Sequence, residues 1–300
     1  MFRIAFDPIY CHPLPDGHRF PMAKYELLPE QLIREGTVEE SAFFAPDLLT
    51  EDRILRTHES EYWEKLKNGT LERREERKIG FPWSEALVRR ERTICRGTAM
   101  NTEYAMQDGV SFNIAGGTHH AYTNRGEGFC LLNDIAIGAH HLIDHHNFER
   151  ILVVDLDVHQ GNGTAQIFEN EPRVFTFSIH GEKNYPLQKE NSDLDIGVPD
   201  GIGDRDYLKL VDKHVKSLVD EFQPQFIFFQ SGVDILENDK LGRLGVSLAG
   251  CRERDRIVFE TAHRDNIPVA VNMGGGYSEK LADIIEAHAN TYRMAASIFG

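Results

Sequence analysis

Residues 151–164, Ile-Leu-Val-Val-Asp-Leu-Asp-Val-His-Gln-Gly-Asn-Gly-Thr, constrain the fold more than any other stretch of the chain. Four apolar residues of high β propensity run straight into Asp155, Asp157 and His159, and then into a glycine-flanked turn. An unbroken apolar run of this length, closed by turn residues, reads as a strand buried on both faces, as in a parallel sheet. Side chains alternate along an extended chain, so three polar residues at spacing two share one side of the strand and its continuation. Two carboxylates and an imidazole have the donor chemistry of a divalent metal site, and open α/β sheets place their ligands where strands stop. The alternative is an ordinary polar loop; Gly161 and Gly163, which relieve the backbone at that point, weigh against it.

Further strands are expected at Phe2–Phe6, Val110–Ile114, Arg173–Ile179, Gln225–Gln230 and Pro268–Asn272. Between them, apolar spacing of three and four predicts helices at Pro21–Glu35, Ser84–Gln107, Asn133–Asn147, Gly161–Phe168, Arg205–Phe222 and Ser247 to about His263, with a last one after Tyr277. Thr50 and Asp204 have the chemistry of N-caps, the first for a helix reaching His58. Residues 68–78 are a mixed-sign charge run, read as a solvated helix face or loop, and 184–204 read as a long loop. Alternating strands and helices predict an α/β fold: one mostly parallel sheet with helices on both faces. No linker or repeat divides the chain, so residues 1–300 are expected to form a single domain.

A net charge of −15 argues against nucleic-acid binding, which needs a concentrated basic surface. The cysteines, Cys11, Cys95, Cys130 and Cys251, are far apart and form no Cys-x-x-Cys, which fits a reducing, cytoplasmic setting. No apolar run approaches the roughly 20 residues of a membrane span, and the amino terminus lacks a signal-peptide pattern.

Four strand ends carry polar groups: His119 and His120, Asp155 with Asp157 and His159, Asp234, and Tyr277 after three glycines. A parallel sheet brings those ends to one edge. Two carboxylates and one imidazole leave a coordination position for water, as catalytic metal sites do. Paired histidines suit proton transfer, and a tyrosine on a glycine loop suits donation to a developing oxyanion. The pair His141 and His145 has the helical spacing of metal ligands as well, but no glutamate follows the first histidine, and a solvated helix face is the preferred reading.

Five motifs in order, Gly-Gly-Thr-His-His-Ala (116–121), Gly-Glu-Gly-Phe-Cys-Leu-Leu-Asn-Asp (126–134), Val-Asp-Leu-Asp-Val-His-Gln-Gly-Asn-Gly-Thr (154–164), Ser-Gly-Val-Asp-Ile-Leu (231–236) and Gly-Gly-Gly-Tyr (274–277), resemble the signatures of the zinc-dependent histone deacetylases. The likeness is nearest to their class IV and bacterial members and spans most of the chain. It implies the arginase/deacetylase fold and hydrolysis of an acyl group, acetyl or longer, from an acylated lysine or similar amine. It further implies that Asp157, His159 and Asp234 bind zinc, with ferrous iron as the alternative ion. His120 becomes the general base, His119 its neighbour oriented by Asp155, and Tyr277 the carbonyl polariser. Gly128, Phe129 and Tyr185 become walls of a substrate tunnel. A structural potassium ion falls on Asp155, Asp157, His159, Ser178 and Ile179.

The chain departs from the family pattern at Asn162, where many relatives carry an aspartate beside the second histidine. An amide orients an imidazole without adding charge, so His120 is expected to protonate less readily. Three other readings compete. An arginase-like enzyme with two manganese ions needs a further carboxylate after Asp234, where Ile235 and Leu236 stand instead. A deacetylase of small amines such as acetylated polyamines uses the same motifs. A binding protein for acylated ligands needs neither the histidine pair nor Tyr277.

Overall fold

The computed structural model describes residues 2–300. In chain order its strands are β1 (Arg3–Ala5), β2 (Phe43–Phe44), β3 (Val110–Asn113), β4 (Ile151–Asp155), β5 (Val174–Gly181), β6 (Leu194–Val198), β7 (Phe226–Gln230) and β8 (Val269–Asn272). The α-helices are α1 (Lys24–Arg34), α2 (Glu51–Leu55), α3 (Ser60–Asn68), α4 (Arg73–Ile79), α5 (Glu85–Asp108), α6 (Asp134–His146), α7 (Asn162–Phe168), α8 (Asp204–Phe222), α9 (Leu248–Arg264) and α10 (Leu281–Phe299). All eight strands join one sheet in the order β2-β1-β3-β8-β7-β4-β5-β6, and every named pairing is parallel. Central strands such as Ile151–Asp155 and Phe226–Gln230 are buried at every residue, as a sheet covered on both faces requires.

The chain crosses from β3 to β4 over a gap that β7 and β8 fill later. Loops on either side of that gap diverge, which opens the crevice where such sheets bind ligands. Register then sets a buried polar row along the carboxyl edge: Asn113 is opposite Asn272, Asn272 opposite Gln230, Gln230 opposite Asp155, and Asp155 opposite Ser178. Each loop leaving this row begins beside the others, so side chains distant in sequence meet there.

Three local expectations change. The stretch 184–204 is not loop throughout: Leu194–Val198 pairs with β5 as an edge strand. Leu194, Ile196 and Val198 alternate with Asp195 and Gly197, residues of low strand propensity, and backbone pairing to one neighbour completes the element. Gly203, not Asp204, occupies the N-cap of α8, and the Asp204 carboxylate accepts from Ser247 N and Oγ at 2.7 and 2.6 Å, tying α8 to α9. Thr50 precedes α2 without a side-chain cap, and that helix ends at Leu55. By contrast Ser84, Asn133 and Ser247 each cap as their chemistry dictates. Among the described residues no helix is long and apolar enough to cross a membrane.

Candidate active site

The loop after β4 turns Asp157 and His159 toward Asp234, which follows β7. The His159 Nδ1 lies 3.1 Å from Asp157 Oδ1 and 3.1 Å from Asp234 Oδ2. One donor atom from each of the three residues falls within 4.8 Å of the others, and all three residues are buried. Backbone amides orient the carboxylates: Gly275 N donates to Asp157 Oδ2 at 2.8 Å and Val158 N to Asp234 Oδ1 at 2.9 Å. A Cβ at Gly275 would come within 1.9 Å of Asp234 Oδ2, so only glycine lets that strand end close on the carboxylates.

The electrostatics of this trio are those of a site short of positive charge. Burial raises the Asp234 carboxyl, and the neighbouring Asp157 raises it further, to about 7. Burial alone would lower His159, but Asp157 and Asp234 outweigh it and hold the imidazole up at about 10. A cation at this position would offset the buried carboxylates. Two carboxylates and an imidazole, gathered and desolvated, fit a dication with a position left open.

Beside the trio stand two histidine dyads. His119 Nδ1 donates to Asp155 Oδ2 at 2.7 Å, and His120 Nδ1 donates to Asn162 Oδ1 at 2.6 Å. Their rings lie 4.1 Å apart. For His119 burial is outweighed by the Asp155 and Asp157 carboxylates, which lift it to about 9. Burial, with His119 and His159 nearby, pushes His120 well below the ordinary histidine range. Asn162 Nδ2 in turn donates to Tyr122 Oη at 2.9 Å, and Tyr122 donates to Glu190 Oε1 at 3.0 Å.

Above the trio, a mouth of about 300 Å³ lined in part by Phe129, Tyr185 and Leu241 leads inward. Below it is a smaller cavity of about 40 Å³ among Phe20, Phe81, Cys130 and the glycine loops. His120, Gly128, Phe129, His159 and Tyr277 line both. Gly128 has φ +53°, and a Cβ there would sit 2.7 Å from His120 Cδ2, which narrows the choice at that wall to glycine. The Phe129 ring packs on Phe20 and Phe81 at centroid distances of 5.1 and 5.2 Å. Tyr185 faces His120 edge-on at 5.0 Å and hydrogen-bonds Glu127. Tyr277 is held through its backbone, whose amide donates to Asp239 Oδ2 at 2.6 Å.

All the residues singled out at the strand ends therefore meet, and Ser178 stands across from Asp155 in the sheet with Ile179 next to it. The histidines of α6 do not join them. His140 is buried against Thr57 Oγ1 at 2.8 Å, while His141 and His146 both donate to Glu103 Oε1, at 2.7 and 2.6 Å. Only His145 and His146 are exposed, so the solvated-face reading holds for half of the run.

Several supporting residues escape the strand-end pattern. Asp134 accepts from Thr118 N at 2.8 Å and from Thr98 Oγ1 at 2.6 Å, pinning the loop that carries the histidines. Arg254, fully buried and paired with Asp255, donates to the carbonyls of Leu156 and Gly232, in the two loops that carry the trio. Lys24 is also fully buried, donates to Gly274 O at 3.2 Å, and lies 5.6 Å from the Tyr277 ring centroid. Its burial lowers the ammonium to about 8. Nothing local marks these residues: Arg254 lies within the charged run 252–256, and Lys24 and Asp134 each open a helix.

The histone deacetylase domain model matches residues 18–292 of this sequence. The chain belongs to the histone deacetylase family. Membership makes it a hydrolase of the deacetylase type, a family whose members are generally metal-dependent. Among its relatives, an uncharacterized protein of Picosynechococcus sp. is 40% identical over 99% of both chains. Histone deacetylase 2 of Arabidopsis thaliana is 30% identical over 89% of this chain and 72% of its own. Acetoin utilization protein AcuC of Staphylococcus aureus is 28% identical over 91% and 76%. The crystal structure of an HDAC homolog complexed with SAHA superposes with a TM-score of 0.83 at 23% identity, over 99% of this chain and 84% of that one. That of the HDA15 HD domain gives 0.83 at 21%, over 99% and 88%. Both carry the same fold as this deacetylase-family chain.

Proposed function

We propose that this deacetylase hydrolyses a short acyl amide of a lysine side chain, using one zinc ion held by Asp157, His159 and Asp234. The observation that carries the reading is the meeting of that trio with two histidine dyads at the floor of one mouth. A bound dication supplies Lewis acidity, lowering the pKa of water and polarising a carbonyl. The protein supplies the rest. With its Nδ1–H committed to Asn162, His120 has its Nε2 lone pair free, and it takes the proton of the attacking water. His119, held protonated by Asp155, gives that proton to the leaving amine, and exchange with solvent then removes the proton on His120 and restores the one on His119. Burial, with Asp234 and Asp157 nearby, keeps the Tyr277 hydroxyl un-ionised, so it donates a hydrogen bond to the carbonyl oxygen as charge develops there. A potassium ion on Asp155, Asp157, His159, Ser178 and Ile179 is proposed on the register that sets Ser178 against Asp155.

Acyl length follows from space. Beyond the trio the inner cavity holds about 40 Å³, room for roughly three water-sized groups by the usual scale of 10–15 Å³ each. Acetyl fits; a long fatty chain does not. The test is amine release from one lysine peptide carrying either acyl group, with zinc loaded. Acetyl cleavage at least tenfold faster supports the reading, and faster fatty-acyl cleavage overturns its size limit.

A further inference from the structure

Four charged side chains line the mouth: Arg19, Lys78, Lys183 and Arg243. All are cations, in a chain where acids outnumber bases 48 to 33, and no carboxylate shares the lining. Each of the four is exposed. Lys78 has Glu127 at 3.7 Å and Arg243 has Asp200 at 3.6 Å, separations at which exposed pairs hold each other weakly. Arg19 lies over the Phe129 ring at 4.9 Å, and among the described residues neither it nor Lys183 has a carboxylate within 4.0 Å. Four cations thus face two loosely paired carboxylates, a local excess of positive charge on a protein negative overall. Between these cations the rim is apolar, with Leu187 89% exposed.

We infer that the rim selects acylated amines that carry carboxylates close to the acylated nitrogen, above all lysines flanked by Asp or Glu in a polypeptide. The inference rests on the deacylase reading of the site and names its substrate class. Cationic ligands meet the same field with the opposite sign, so acetylated polyamines are rejected at the entrance. Opposed charges across a rim act mainly on encounter and register, and salt weakens them.

The experiment compares three amidated acetyl-lysine peptides of one sequence with acidic, neutral or basic flanks, and free Nε-acetyl-lysine, whose only carboxylate is its own α-carboxylate. Two or three exposed contacts of ordinary strength amount to about tenfold in kcat/KM for acidic over basic flanks. From about 0.01 M to about 1 M salt the screening length falls from roughly 30 to roughly 3 Å, and the ratio is expected to approach one. In Lys183→Glu/Arg243→Glu the acidic-to-basic ratio is expected to invert. Free acetyl-lysine matching the acidic peptide would assign the field to the α-carboxylate instead of the flanks. Equal rates for acidic and basic peptides at low salt, or a preference untouched by the double substitution, would overturn the inference. Fluorescence anisotropy of labelled peptides reads the rim without turnover. Acid-preferring binding with no hydrolysis of any peptide would sink the deacylase reading while the rim assignment stands.

Discussion

Replacing Asn162 by aspartate tests how the protein sets the basicity of His120. The amide Oδ1 accepts from His120 Nδ1 at 2.6 Å, and both residues are buried, so a carboxylate in its place faces the ring without intervening water. At an effective dielectric of 20, unit charges about 4 Å apart attract by about 4 kcal/mol, an upper bound that desolvation of the new carboxylate reduces. The net rise in the His120 pKa is then about 1–3 units, the usual range for an adjacent opposite charge. His120 starts well below the ordinary histidine value, pushed there by burial and by its histidine neighbours. In Asn162→Asp the acid limb of the pH dependence of kcat/KM should therefore move up by about 1–3 units, since that limb reports the essential base of the free enzyme. Activity above pH 8 should change little, while at a pH below both values activity should fall by about tenfold for each unit of the rise. The substitution also removes the Nδ2 donor to Tyr122, so Tyr122→Phe is the control for the lost network without added charge. An acid limb that stays in place in Asn162→Asp, or moves equally in Tyr122→Phe, would refute the argument.

Three other outcomes follow from the same geometry. His58 accepts from Asn133 N through Nε2 at 3.0 Å and hydrogen-bonds Tyr122 O through Nδ1, and burial lowers it to about 4. Its unfolded value is about 6.5, so stability is unaffected above that pH and lost as pH falls toward 4, by up to ~3 kcal/mol; His58→Gln should flatten the urea midpoint over that window, and an unchanged slope would refute it. Tyr277→Phe should lower kcat by on the order of a hundredfold with an unchanged melting temperature, whereas near wild-type turnover would remove the oxyanion role. Chelation should lower the melting temperature, because a ligand at a hundred times its Kd adds about 2.7 kcal/mol to folding, and Asp234→Asn should abolish most of that shift; equal shifts in both proteins would place the metal elsewhere.

The central strands were legible because Ile151–Val154 and Phe226–Phe229 are apolar throughout, and only a doubly covered sheet buries such runs. Once those strands are parallel, the convergence of His119, Asp157, Asp234 and Tyr277 follows from polar residues placed at strand ends. What the sequence does not carry is who holds those residues. Asp134, Arg254 and Lys24 sit in helices whose local pattern is unremarkable, and each matters only because folding buries its charge against a distant loop. Edge strand β6 was hidden for the opposite reason: Leu194, Ile196 and Val198 do alternate, but Asp195 and Gly197 between them are residues depleted in strands, and backbone pairing to β5 decides the element. The charge of the mouth was equally invisible, since Arg19, Lys78, Lys183 and Arg243 come from four separate segments of an acidic chain.

The most direct test of the account is acetate release from an acetyl-lysine peptide in 18O-enriched water, by protein carrying one zinc per chain. Deacetylated peptide and acetate should form in equal amounts, with one solvent oxygen in each acetate and loss of the signal in His120→Ala. Zinc bound in the wild type with no acetate formed would contradict it.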